Sequence, residues 1–154
     1  GRAEPAMSAV DVDRVVREVL EDLTAQIEQA AATVEVGDLP TCRGDRVELG
    51  RLWTNLLDNA LKYLRPGVAG RIVVRGVRDE DVVRYTVADN GVGIEPAFRD
   101  KVFRVFHRLD PRAAPGEGLG LTIAHRIVAR HAGTIEISDN PGGGTRFTVV
   151  LPVA

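Results

Sequence analysis

Apolar residues recur three and four apart through Val12, Val15, Val16, Val19, Leu20, Leu23, Ile27 and Ala30, which predicts one amphipathic helix capped by Asp11, with Arg14 and Arg17 on its solvent side. The same period returns in Leu49, Leu52, Trp53, Leu56, Leu57, Ala60, Leu61 and Leu64, a second helix entered at Asp45 and closed by Pro66-Gly67. A third runs from Gly118 to His131 through Leu121, Ile123, Ala124, Ile127 and Val128, with Gly133 as its stop. Between the helices lie β-branched runs. Residues 33–36 and 40–43 read as two short strands joined by Gly37-Asp38. Residues 71–77 and 82–88 form a hairpin about the turn 78–81, and residues 134–138 and 145–151 form another about Asp139-Asn140-Pro141-Gly142-Gly143-Gly144. From Glu95 to Gly116 the pattern dissolves into charges, two phenylalanines, Pro111 and Pro115, a long surface segment with one or two helical turns. Three helices and about six short strands imply an α/β (α+β) two-layer sandwich: a mixed, largely antiparallel sheet of about five strands, with three helices on one face.

The chain has 154 residues, 44% of them hydrophobic, enough to bury the core of one domain. That domain is expected over residues 10–152. Residues 1–9, which lack an initiator methionine, read as a disordered or tag-derived N-terminus on an excised fragment. With 20 basic and 22 acidic residues and a net charge of -2, no nucleic-acid footprint or polybasic membrane patch is expected. No apolar run approaches the roughly 20 residues that span a bilayer. The fragment is therefore expected to be soluble, without membrane contact, and cytoplasmic. The single Cys42 has no partner for an internal disulfide or a zinc cluster, in keeping with a reducing compartment.

Candidate chemistry gathers at two places. Asn55, Asn59 and Lys62 stand at helical spacing on the polar side of the second helix, offering amide oxygens and an ammonium. Asp89 ends a strand and is followed by Gly91, Gly93 and Ile94. Together they suit a magnesium-bound polyphosphate attached to a base, which points to an ATP site. Taken alone, the asparagines are polar positions of an amphipathic helix, and Asp-x-Gly-x-Gly is a turn. Gly116, Gly118, Leu119 and Gly120 open the third helix, where bare backbone NH groups and the helix dipole receive phosphate oxygens. A dinucleotide-binding turn is the competing reading, but there the glycines follow a strand rather than a proline-bearing loop. Gly142, Gly143, Gly144 and Thr145 are equally a plain glycine hairpin or part of a nucleotide site.

These motifs, in this order, resemble the catalytic ATP-binding domain of bacterial sensor histidine kinases, a branch of the Bergerat-fold ATPases; the likeness covers roughly residues 10–152. The resemblance implies Asn59 as ligand to Mg2+, Asn55 on the phosphate side, Lys62 against phosphate charge and Tyr63 along the nucleotide. It implies Asp89 as acceptor for the adenine amino group, with Gly91, Gly93 and Ile94 about the base. It further implies an ATP lid over about 95–116 anchored by Phe103 and Phe106, and Arg108 near the terminal phosphate. Hydrolysing members of the superfamily carry a glutamate where Asn55 stands, so transfer is expected rather than hydrolysis. No acceptor-histidine motif is present: His107, His125 and His131 are expected to be structural. The implied partners are an upstream dimerisation and histidine-phosphotransfer domain, a response-regulator receiver domain and a second copy in a full-length homodimer. Without the acceptor the fragment should bind ATP but not phosphorylate itself. An anti-sigma-type serine kinase and a non-catalytic nucleotide-sensing module are the alternatives.

Overall fold

The computed structural model describes residues 4–99 and 119–154. Ser8–Val10 (β1) leads into Val12–Asp22 (α1), Thr24–Gln29 (α2), Ala32–Val36 (β2), Cys42–Gly44 (β3) and Arg46–Lys62 (α3). Gly70–Asp79 (β4) and Val82–Asp89 (β5) follow, then a 3-10 turn at Pro96–Phe98, Leu119–Arg130 (α4), Thr134–Asp139 (β6) and Thr145–Pro152 (β7). Five strands form one sheet in the order β2-β4-β5-β7-β6, antiparallel except for the β2–β4 pair. One face of this sheet is apolar: Ile72, Val74, Val83, Tyr85, Val87, Phe147, Val149 and Leu151 are buried, as the period-two alternation requires. The helical layer covers that face, with α3 packed against both α1 and α4. This is the two-layer mixed-sheet architecture that the pattern predicts.

The residues of α3 explain its form and its place. Asp45 caps it, Oδ1 accepting the NH groups of Val47 (3.0 Å) and Glu48 (3.1 Å), and Oδ2 accepting that of Ala6 (2.7 Å). Leu49, Leu52, Trp53, Leu56, Leu57, Ala60 and Leu61 are buried in register with the 3.6-residue period. The Trp53 ring meets Tyr85 of β5 edge to face, with centroids 5.4 Å apart and planes at 84°.

Three local expectations change. The helix foreseen over residues 12–30 is interrupted at Leu23, where the Thr24 hydroxyl donates to the Glu21 carbonyl (2.7 Å) and competes with the backbone for the last carbonyls of α1. β2 and β3 are not a hairpin: β2 pairs in parallel with β4, while β3 pairs with β1 in a separate two-stranded sheet. Regular structure reaches back to Ser8, within the segment read as a loose N-terminus, because β1 pairs along the whole of the three-residue β3, which otherwise has a single bridge from Cys42 to Val153.

Candidate functional site

Asp89 is the last residue of β5, on the helix-facing side of the sheet, and the antiparallel register Ala88↔Arg146 sets it beside Thr145 at the start of β7. It is 4% exposed. Oδ1 accepts the NH groups of Gly91 (2.9 Å) and Thr145 (3.2 Å), and the Asn140 side-chain amide donates to the Asp89 carbonyl (2.9 Å). Oδ2 takes no hydrogen bond from a described residue. Burial pushes the carboxyl above the usual carboxylate range, and the two backbone amides offset part of that effect. The glycines here are required. Gly144 has φ +101, and a Cβ on it would stand 1.9 Å from the Asp89 carbonyl oxygen; a Cβ on Gly91 would stand 2.3 Å from the Tyr63 carbonyl oxygen. Gly93 takes a left-handed turn with φ +77, and the half-buried Ile94 packs on the core.

A second group of residues comes from α3. Asn55 and Asn59 are half-buried on the side of the helix that carries Lys62, whose ammonium meets Asp58 at 3.0 Å. Gly120, in the first turn of α4, lies against Asn55: a Cβ there would be 3.6 Å from the amide carbon and oxygen. The glycine-led end of α4 and the asparagine side of α3 therefore adjoin. Tyr63 ends α3, and its carbonyl accepts the Val92 NH at 3.0 Å, which ties the helix to the turn after Asp89. The Tyr63 ring belongs to a residue 38% exposed. Leu119 opens α4. Arg108, Gly116 and Gly118, with Phe103, Phe106, His107 and the greater part of the expected lid, lie outside the described residues.

Sequence reasoning missed several residues that shape this site. Arg65 Nε donates to the Gly91 carbonyl at 2.9 Å. Asn90 takes the Arg71 NH on Oδ1 (2.7 Å) and donates to the Ala69 carbonyl (2.9 Å), fixing the turn from the β4 side. Asn140 had a signal as a turn residue beside Pro141-Gly142, but its bond to Asp89 spans 51 positions and has no local trace. Cys42 and His131 both lie inside the core. Cys42 is fully buried, and burial pushes its thiol up to about 11. His131 is 1% exposed, with Nε2 accepting the Asp45 NH at 3.0 Å.

The chain that carries this buried carboxylate and asparagine-bearing helix has relatives among known proteins. The family model of the histidine kinase-, DNA gyrase B-, and HSP90-like ATPases matches residues 44–154. The chain belongs to this ATPase family. Among curated relatives, it is 35% identical over 148 residues to the phytochrome-like protein Cph1 of Synechocystis sp., covering 96% of this chain and 20% of that protein. Against a solved mycobacterial sensor histidine kinase MprB it superposes with a TM-score of 0.80 at 34% identity, covering 96% of this chain and 97% of the other. Against full-length ShkA in complex with AMPPNP the TM-score is 0.83 at 28% identity, covering 100% of this chain and 32% of that one. The chain spans about a fifth of the length of the curated relatives it matches first. It is thus an ATPase-family domain of the sensor histidine kinase type. Among the described residues no helix is long and apolar enough to cross a membrane.

Proposed function

We propose that residues 10–152 form a catalytic domain that binds ATP with magnesium and passes the terminal phosphoryl group to a histidine on a separate dimerisation and acceptor domain. A response-regulator receiver domain then takes the phosphoryl group. The full-length protein works as a homodimer, and this part of it is cytoplasmic. The observation that carries the reading is the buried Asp89, whose Oδ1 is held by two backbone amides while Oδ2 takes no donor among the described residues.

Each role follows from the residue's chemistry. The ionised Oδ2 has only lone pairs to offer, so it accepts from the exocyclic amino group of adenine and opposes the carbonyl that guanine presents there. Gly91, Gly93 and Gly144 keep the approach to the base free of side chains, and Ile94 and Tyr63 supply apolar surface. Thr145 orients the acid through its NH. At the other end, bare NH groups of the glycine-led start of α4, with Gly116, Gly118, Leu119 and Gly120, meet phosphate oxygens beside the Asn55 amide. Among the described residues no group of three His, Cys, Asp or Glu side chains converges, so a metal fits as one held by the Asn59 amide oxygen and ligand oxygens rather than by a carboxylate cage. Magnesium bound there would neutralise phosphate charge and align the terminal group. Lys62 and Arg108 offset the remaining charge. No general base is needed: the acceptor's imidazole nitrogen uses its lone pair to form the N–P bond as the bridging P–O bond breaks and ADP leaves, and the ring's other NH loses its proton to solvent.

A fluorescent ATP analogue should bind in a magnesium-dependent way, and Asn59→Ala and Asp89→Ala should each weaken it by at least about tenfold, the loss of one charge-assisted contact or metal ligand. Undiminished binding in either variant would remove the basis of the site. With a separately produced acceptor domain and radiolabelled ATP, acid-labile phosphate on that domain is expected. Acid-stable phosphate would indicate a serine acceptor instead, and none at all a binding module.

A further inference from the structure

Arg65 is a cation beside the site whose side chain the proposed reading does not use. Arg65 follows the end of α3 on the loop to β4, and its side chain reaches the two turns that frame Asp89. Nε donates to the Gly91 carbonyl at 2.9 Å. The guanidinium also lies over Gly143, filling the place where a side chain there would begin: a Cβ on Gly143 would be 3.1 Å from one terminal nitrogen and 3.7 Å from the central carbon. Gly91 is the residue whose own NH holds Asp89 Oδ1, one peptide before the carbonyl that Arg65 takes, and the hairpin at 142–144 leads straight to Thr145, whose NH is the second donor. The Val92 NH to the Tyr63 carbonyl adds a parallel tie from the same end of α3.

We infer that Arg65 is a positioning residue for base recognition: it clamps the Gly91 turn and the glycine hairpin together, so that Asp89 keeps its Oδ2 aimed at the base while the α3 amides meet the phosphates. The inference rests on the proposed ATP site and adds to it the element that sets its selectivity. Two features of guanidinium are used, a donor set back at Nε and a terminal nitrogen that stands against a glycine. Lysine, with its one nitrogen, does not supply both. The residue is exposed and outside the core, so its loss bears on the turns rather than on the fold.

The test compares ATP with ITP, which carries a carbonyl in place of the adenine amino group, on the wild-type chain and on Arg65→Met and Arg65→Lys. The wild type should prefer ATP. Both variants should melt within a few degrees of wild type yet bind ATP about tenfold more weakly, with the ATP-to-ITP preference falling towards one, the scale expected for a lost hydrogen bond from a charged donor. A wild-type chain with no such preference would remove the Asp89 reading and this inference with it. A wild-type preference retained in full by either variant would overturn the role of Arg65 and leave the site intact.

Discussion

Asp89 is ionisable and nearly sealed from water, and the chain spends stability to keep it so. Because burial raises its folded-state pKa above that of the unfolded chain, the folded form holds the proton more tightly there. The sign is then fixed. Below the unfolded carboxylate range both states are protonated and nothing is lost; as pH rises through that range towards the folded pKa, stability falls, and above it the loss is complete. Asp89→Asn retains an oxygen for the Gly91 and Thr145 amides and has no charge to desolvate. The variant should therefore be more stable than wild type at pH 7, the difference should shrink towards zero near pH 3, and ATP binding should be gone. Melting temperatures measured across that pH range decide it: an asparagine variant that melts below wild type at neutral pH would show that the two amides outweigh the desolvation. A residue whose replacement stabilises the fold is what a site built for a ligand's donor should contain, as the proposed role of Asp89 requires.

At the level of elements, what is local could be read and what spans the chain could not. The Asp45 cap, the apolar face of α3 and the hairpins β4–β5 and β6–β7 all rest on residues within a few positions of one another, so periodicity and turn chemistry reveal them. The Asp89 and glycine motifs of the site are local in the same way. The parallel pairing of β2, the docking of β1 on β3 and the crossings from Arg65 and Asn140 to the Asp89 turn depend on partners 26 to 51 positions away for the side chains, and no period encodes them. Another such crossing holds the helical layer together. His131, just past α4, accepts the Asp45 NH on Nε2, so its proton sits on Nδ1 and is donated to the Ile127 carbonyl at 2.8 Å. Beside it Arg130 grips Glu48 of α3 with two contacts, 3.0 and 3.3 Å. His131→Ala would leave the Asp45 NH unpaired and open a void beside Gly44, at a cost of about 2–4 kcal/mol. Urea unfolding should show the midpoint falling with the slope unchanged; a midpoint within error of wild type would mean water takes the place of the ring at no cost.

Across the whole molecule, the proposed nucleotide would join the turn at Asp89 to the asparagine side of α3. Asp89 is 4% exposed and its Oδ2 takes no donor among the described residues, and the two parts of the proposed site are tied by Tyr63, Arg65 and Gly120. A ligand that donates to Oδ2 and meets the α3 amides with its phosphates binds the folded state alone, and so shifts unfolding by mass action: about 2.7 kcal/mol at a hundredfold excess over its dissociation constant. The melting temperature of the wild type should climb steadily with the logarithm of magnesium-ATP concentration once the site is saturated, and less with ITP. The Asp89→Asn chain should start higher and stay level. The two curves must then cross, wild type being the less stable protein without nucleotide and the more stable one at high concentration. Curves that run parallel would mean that the nucleotide gains nothing from Asp89, and that the carboxylate is buried there for some other reason.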